Sequence, residues 1–231
     1  MKLYNTSEVF EINEELDCDL IKEEWGSYIR VKNFWKNPEK VKEVFLNSPC
    51  HPLSGACYAT ENGTKYFDGR NEICFMDQPQ FSNVVFYIIC KYFNIDNRFL
   101  DLKWKLPTIL FGNVFQMYDR NSNPFDTHYY APHRDGLNQI ACTWYMNENY
   151  VDGEGTSIYD KSISETEECY LNIIDSPWTK SVERVGHIQA EYNSLVIYDG
   201  SIPHGQSVTE RWFSEPRLSL VQFFIDKRVY K

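Results

Sequence analysis

From Pro107 onward the chain breaks into short apolar or alternating runs, interrupted every few residues by Gly, Asn, Asp and Pro. Punctuation that dense leaves no room for long helices, and alternation with a period of two is the mark of strands with one face buried. Candidate strands fall at 109–118, 129–133, 139–147, 155–159, 188–191, 194–198, 204–208 and 217–225. Eight strands of this length predict a two-sheet all-β architecture, and a jelly roll (double-stranded β-helix) suits them best.

The first part of the chain has a different texture. Residues 28–32 alternate as a half-exposed strand. Asn37-Pro38-Glu39 then supplies an N-cap, a proline at the first helical position and an early acid, ahead of Val41, Val44 and Phe45 on one face, so the spacing predicts a helix over 38–47. Residues 48–77 carry Pro52, Gly55, Gly63 and Gly69 between short apolar pieces and read as loops with at most brief strands. From 79 to 93, Phe81, Val84, Val85, Ile88, Ile89 and Tyr92 recur at helical spacing and predict an amphipathic helix with a core-facing stripe. With no tandem repeat or long linker in 231 residues, the expectation is one domain: a mixed, partly helical support region over 1–106 packed on a jelly-roll core over 107–231. The fold class expected is therefore mostly β with flanking helices.

Composition weighs against some functions. A formal charge of −10 lacks the basic footprint of a nucleic-acid binder and disfavours a nucleic-acid substrate, and 16% aromatic residues exclude disorder. The first eight residues run into acids with no apolar h-region, and no window reaches the roughly 18 apolar residues of a membrane span. A cytoplasmic protein without membrane partners is expected. Seven cysteines without a C-x-x-C pair suggest reduced, mostly buried thiols rather than a disulfide framework or zinc ribbon.

The chemistry-bearing residues cluster in the β-rich part. His133 and Asp135 lie two apart, so on a strand both side chains face the same way. With His204, which follows the apolar run 195–198 and the turn Asp199-Gly200, they make a 2-His-1-carboxylate set, the ligand arrangement that leaves open positions on a non-heme Fe(II). Further on, Arg217-Leu218-Ser219 opens an apolar strand. A guanidinium clamps a carboxylate bidentately and a hydroxyl two residues on can bond the same group, so a dicarboxylate co-substrate would be held by its far end. Among the other histidines, His51 and His187 read as ordinary structural residues, and His128 is five positions from His133, which sends its side chain to the opposite strand face.

At these residues the sequence resembles the Fe(II)/2-oxoglutarate-dependent dioxygenases, specifically their prolyl 4-hydroxylase-like branch. Tyr130-Ala131-Pro132-His133-Arg134-Asp135 resembles that family's Tyr-x-x-His-x-Asp strand, Tyr145-Met146-Asn147 its Tyr-Leu-Asn, and 152–159 its Gly-Gly-x-Thr-x-Phe hairpin. The resemblance implies His133, Asp135 and His204 as iron ligands, with Arg217 as the partner of the 2-oxoglutarate C5 carboxylate. It adds Tyr145 beside that carboxylate and Tyr118 near the C1 carboxylate and keto end. Tyr118 stands farther upstream of His133 than the family's usual tyrosine, and an insertion through 121–124 would explain the excess.

The activity so implied is hydroxylation of a C–H by Fe(II), 2-oxoglutarate and O2, with ascorbate as an accompanying reductant and succinate and CO2 as products. Asp135 favours hydroxylation over halogenation, because related halogenases carry a small residue there. The resemblance tilts the substrate toward a peptidyl or amino-acid-like molecule, with other small metabolites open. Arg70, Arg120, Arg134, Trp144 and the loops over 48–77 could face it, though each also reads as ordinary surface or core. Two rival readings stand beside this one: a non-catalytic β-sandwich binding module with a vestigial site, and a His2Asp zinc hydrolase, which has no need of the Arg217-x-Ser219 clamp.

Overall fold

A computed structural model describes residues 6–49, 51–59, 65–105, 107–117, 133–160, 184–207 and 209–230. In chain order its elements are α1 (Thr6–Val9), β1 (Asp17–Glu23), β2 (Gly26–Lys32), α2 (Pro38–Asn47), β3 (His51–Ala59), β4 (Lys65–Phe75), α3 (Gln80–Tyr92), β5 (Leu100–Leu102), β6 (Thr108–Met117), β7 (Gln139–Tyr145), β8 (Gly155–Tyr159), β9 (Arg184–Gln189), β10 (Ser194–Asp199), β11 (His204–Gln206) and β12 (Arg217–Asp226). The strands form two antiparallel sheets. The larger has nine strands in the order β1-β2-β10-β7-β12-β6-β4-β3, with β5 pairing the far end of β12; the smaller has the order β11-β8-β9. An isolated antiparallel bridge between His133 and His204 adds a fourth chain segment beside β11. Order and pairing are those of a jelly roll.

The central strands are apolar on both faces because both are covered. In β7, Ile140, Cys142 and Trp144 point to one side and join a cluster with Val41, Phe45, Phe81 and Ile89 of α2 and α3. The alternate residues Ala141 and Tyr145 point to the other side, toward the small sheet. Strand β12 splits the same way, with Leu218, Leu220 and Phe224 against the helices and Arg217, Ser219, Val221 and Phe223 facing a cavity between the sheets. Trp35, Trp144, Phe34, Phe45 and Phe81 are all buried below 2% exposure and meet largely edge-to-face, as Phe34 and Trp35 do at 4.8 Å. Each such side chain contributes about 1.5–3 kcal/mol by burial. This cluster makes the large sheet a stiff floor for the cavity.

Most predicted elements recur within a residue or two. Helix α2 has the predicted bounds, with Pro38 in its first turn, but the Asn37 side chain makes no cap hydrogen bond; only its carbonyl accepts, from Lys40 and Val41. The expectation that 48–77 is mostly loop is overturned, since β3 and β4 form a long hairpin and β4 pairs β6 from Tyr66↔Met117 to Phe75↔Thr108. The pattern hid it because β4 places polar residues such as Arg70 on the cavity side and contains Gly69, which mimics a breaker. Strand β9 begins earlier than predicted, and the charged, exposed edge strand β1 has no apolar alternation to announce it. The predicted strand over 129–133 lies outside the described residues apart from His133. Cys18, Cys74, Cys90 and Cys142 are free thiols, and among the described residues no helix is long and apolar enough to cross a membrane.

Candidate active site

The backbone itself brings the predicted ligands together. His133 N–H donates to the His204 carbonyl at 2.9 Å and His204 N–H returns the bond at 3.0 Å, leaving the two imidazole rings 4.5 Å apart. Two residues on, Asp135 N–H donates to Gly200 O at 2.9 Å and Gly200 N–H to Gln139 O at 2.7 Å. The turn before His204 is thereby stitched to the segment carrying Asp135. Gly200 suits that closeness: a methyl group there would stand 3.0 Å from Asp135 Oδ2 and 3.2 Å from its Cβ, tight enough to press on the carboxylate.

His133 Nε2 stands 3.8 Å from Asp135 Oδ1 and His204 Nε2 3.3 Å from Asp135 Oδ2. One ligating atom from each residue lies within 4.8 Å of the others. Ligands about 2.1 Å from a common ion stand roughly 3 Å apart when adjacent, so small side-chain rotations would close this set on a cation.

The tautomer argues the same way. His204 Nδ1 is 2.8 Å from the Ile202 carbonyl and must donate to it, which leaves Nε2 of the neutral ring as a lone pair facing a buried carboxylate oxygen. With the ring neutral, Asp135 Oδ2 has no hydrogen-bond partner among the described residues. Two acceptors 3.3 Å apart need a cation between them, either a second proton on His204 or a metal. With the proton there, burial pushes the His204 pKa down, but the Asp135 charge and hydrogen bond, helped by the Ile202 carbonyl, outweigh it and the net shift is upward. For Asp135, burial pushes up, and the opposing charge and hydrogen bond of His204, with His133 and Lys103, win and hold it below the usual value. This donor set, two imidazoles and a carboxylate with an unsatisfied oxygen, suits a divalent transition metal.

Arg217 lies on the floor of the same cavity, whose volume is about 120 Å³. It is 5% exposed. Its Nη1 donates to Gln206 Oε1 at 3.1 Å and Ser219 Oγ at 3.2 Å, Nη2 donates to Gly155 O at 3.4 Å, and Nε has no partner among the described residues. All its acceptors are neutral; among the described residues no carboxylate pairs with it. A buried guanidinium without a counterion is costly. Gln206 Nε2, Asn113 Oδ1, Arg70 Nε, Arg217 Nε and Asp135 Oδ2 are all buried without partners among the described residues and belong to residues lining this one cavity. Unsatisfied buried polar atoms are rare, and their convergence marks a ligand site.

The remaining candidates separate. Ser219 is 2% exposed and lines the cavity beside Arg217. Tyr145 stands behind the wall: its hydroxyl is bonded to Thr156 Oγ1 at 2.7 Å, and Thr156 lines the cavity. Burial pushes the Tyr145 phenol pKa up, so it stays neutral. Tyr118, His128 and Arg120 lie outside the described residues, as does the side chain of His51. His187 sits on β9, 3.3 Å from Ser207 Oγ and away from the cavity. Trp144 is core at 0% exposure. Gln206, Thr143 and Asn113 line the site without having been singled out from the sequence. Asn113 was legible as a polar residue between Phe111 and Phe115 on the inward face of a strand.

No protein-family model and no curated protein matches this sequence. Among solved structures the chain is similar to the non-heme alpha ketoglutarate-dependent epimerase SnoN from nogalamycin biosynthesis, at 12% identity over 86% of this chain and 78% of that one, with a TM-score of 0.47. It is also similar to a Pseudomonas putida prolyl-4-hydroxylase (15% identity, 77% of each chain, TM-score 0.37). A third is the Fe(II)/(alpha)ketoglutarate-dependent dioxygenase TqaL (13% identity, 82% of this chain and 74% of that one, TM-score 0.32). The three are described as an epimerase, a prolyl-4-hydroxylase and a dioxygenase.

Proposed function

We propose that this chain is an Fe(II)- and 2-oxoglutarate-dependent dioxygenase that hydroxylates a C–H bond of a peptidyl, amino-acid-like or related small substrate. The observation that carries the reading is the pairing of a His-Asp-His cluster with a buried guanidinium that lacks a counterion, both facing one cavity. Neither a binding module nor a zinc hydrolase needs that guanidinium. A dicarboxylate bound by one end at the cluster and by the other at Arg217 satisfies both.

Bound at such a cluster, Fe(II) with 2-oxoglutarate and O2 supplies the oxidising chemistry that turns C–H into C–OH with release of succinate and CO2. The protein's part is orientation. His133, Asp135 and His204 would hold the metal, and the His204 ring is held in register by its bond to Ile202 O. Arg217 and Ser219 would read the far carboxylate. Tyr145 would fix Thr156 in the wall between them, a positioning role. The apolar side chains of Val221, Ala141 and Phe223 in the lining would strengthen each of these electrostatic contacts by lowering the local polarity.

The test is product analysis: purified protein with Fe(II), ascorbate, O2 and 2-oxoglutarate should form succinate, and Arg217→Ala should raise the 2-oxoglutarate concentration needed. No succinate above a metal-free control, at saturating iron and co-substrate, would reject the reading.

A further inference from the structure

The cluster and Arg217 leave one side of the cavity without a role. There the Arg70 guanidinium, on β4, lies 4.8 Å from the Phe111 ring centroid. Phe111 meets Trp104 edge-to-face at 5.0 Å, and Trp104 meets Phe223 at 6.0 Å. The Lys103 ammonium sits 4.7 Å from Trp104 and 5.2 Å from Phe223. Two cations and three aromatic rings thus form a continuous ribbon, and Arg70 and Phe223 line the cavity directly.

Neither cation has an ionic partner among the described residues. Lys103 Nζ donates only to the neutral Gln139 Oε1, at 2.8 Å, and Arg70 Nε is buried with no partner. In a chain of net charge −10 acids are plentiful, yet Glu72, which shares the Arg70 strand face, is exposed. Burial lowers the Lys103 pKa; the Asp135 charge works against that and the Arg70 charge adds to it, so both cations and the metal cluster share one field. Arg70 is also distinct from the co-substrate clamp. It stands opposite Asn113 of β6, which stands opposite Ser219 of β12. Two strand spacings, roughly 10 Å, separate its strand from the one carrying Arg217.

We propose that Arg70 and Lys103 form an oxyanion-reading subsite for the primary substrate, with Phe111, Trp104 and Phe223 as the surface on which its apolar or planar body lies. This deepens the dioxygenase reading and rests on it. The substrate is then an organic acid bearing a carboxylate or phosphate, not an uncharged peptide segment, and the anchored anion sets which C–H faces the metal cluster. Arg70 is specificity-determining rather than catalytic. A guanidinium on an aromatic face, with a donor left over, is pre-organised for planar oxyanions.

The test is isothermal titration of protein loaded with Mn(II) and 2-oxoglutarate, using 3-phenylpropanoate, 2-phenylethylphosphonate and 3-phenylpropanamide, and the matching indole-3-alkyl set. The expected result is that an acid binds about tenfold or more tighter than its amide. Arg70→Gln and Lys103→Gln should each remove about tenfold of the acid affinity, as for a lost charge-assisted hydrogen bond, and leave amide, Mn(II) and 2-oxoglutarate binding within about twofold. The carboxylate-to-phosphonate ratio identifies the head group. The proposal is overturned if no acid outbinds its amide, or if Arg70→Gln weakens 2-oxoglutarate instead of the acid. Failure of the dioxygenase reading appears separately, as wild-type protein that does not bind 2-oxoglutarate in the loading titration; the acid and amide comparison is then made on the Mn(II) protein alone.

Discussion

Replacing Arg217 by methionine should move stability and co-substrate affinity in opposite directions. The guanidinium is 5% exposed, holds only neutral acceptors, and leaves Nε unpartnered. In the ligand-free protein it is an uncompensated buried charge, and exchanging such a group for an apolar one of similar length is neutral or stabilising by about 1–4 kcal/mol. At 231 residues, each kcal/mol shifts the melting temperature by about 2–4 °C, so the metal-free variant should melt at the same temperature or several degrees higher. Affinity should go the other way. A carboxylate taking Nε and one Nη makes two charge-assisted bonds of about 1.5–3 kcal/mol each, and Gln206 and Ser219 recover only part of that. A net loss of about 3–4 kcal/mol raises the Kd for 2-oxoglutarate by about 10²–10³-fold. Titration of 2-oxoglutarate into Mn(II)-loaded wild type and variant, with thermal scans of both in chelator, reads the two effects. A variant that binds within about threefold of wild type, or one destabilised by more than about 1 kcal/mol, would refute the assignment.

Asp135→Ala or His133→Ala should abolish retention of a stoichiometric divalent metal through gel filtration, measured by elemental analysis. The metal-free protein should depend on pH in a defined way. Asp135, lowered from 3.8, contributes stability that is full above 3.8 and lost as pH falls through its folded value; His204, raised from 6.5, contributes stability that is full below 6.5 and lost as pH rises through its folded value. Thermal scans in chelator should therefore show a melting temperature falling above pH 6.5, and Mn(II), which displaces the His204 proton, should reverse that slope; identical slopes with and without metal would contradict it. Gly200→Ala should press the new methyl on Asp135 at about 3 Å, costing about 1–3 kcal/mol by overpacking, with weaker metal binding in the same titration. Trp144→Ala should cost about 3–5 kcal/mol in chemical denaturation by opening a cavity beneath the site.

Much of the site was visible in the primary structure because strand geometry is so regular. Arg217 and Ser219 share a face by their spacing alone, and their inward turn follows from Leu218 and Leu220 taking the helix-packed face; His133 and Asp135 line the same cavity, although only His133 of the two makes a β-bridge. The antiparallel bridge that joins His133 to His204 was not legible, since it depends on the order in which the strands close. Strand β4 was missed for a related reason: a strand whose inward residues face a polar cavity loses the apolar alternation that announces strands. Arg70 was therefore placed in a loop, and only cross-strand register sets it opposite Asn113. Tyr145 shows the complementary limit. Its motif points to the co-substrate, and its hydroxyl is hydrogen-bonded to Thr156, a contact between β7 and β8 that no local pattern encodes.

The most direct test of the whole account is anaerobic absorption spectroscopy of the protein titrated with Fe(II) and then 2-oxoglutarate. Simultaneous capture of the metal by His133, Asp135 and His204 and of the dicarboxylate by Arg217 predicts a visible charge-transfer band that needs both additions, saturates at one equivalent of iron, and disappears in His204→Ala. A spectrum unchanged by 2-oxoglutarate at saturating Fe(II) would contradict it.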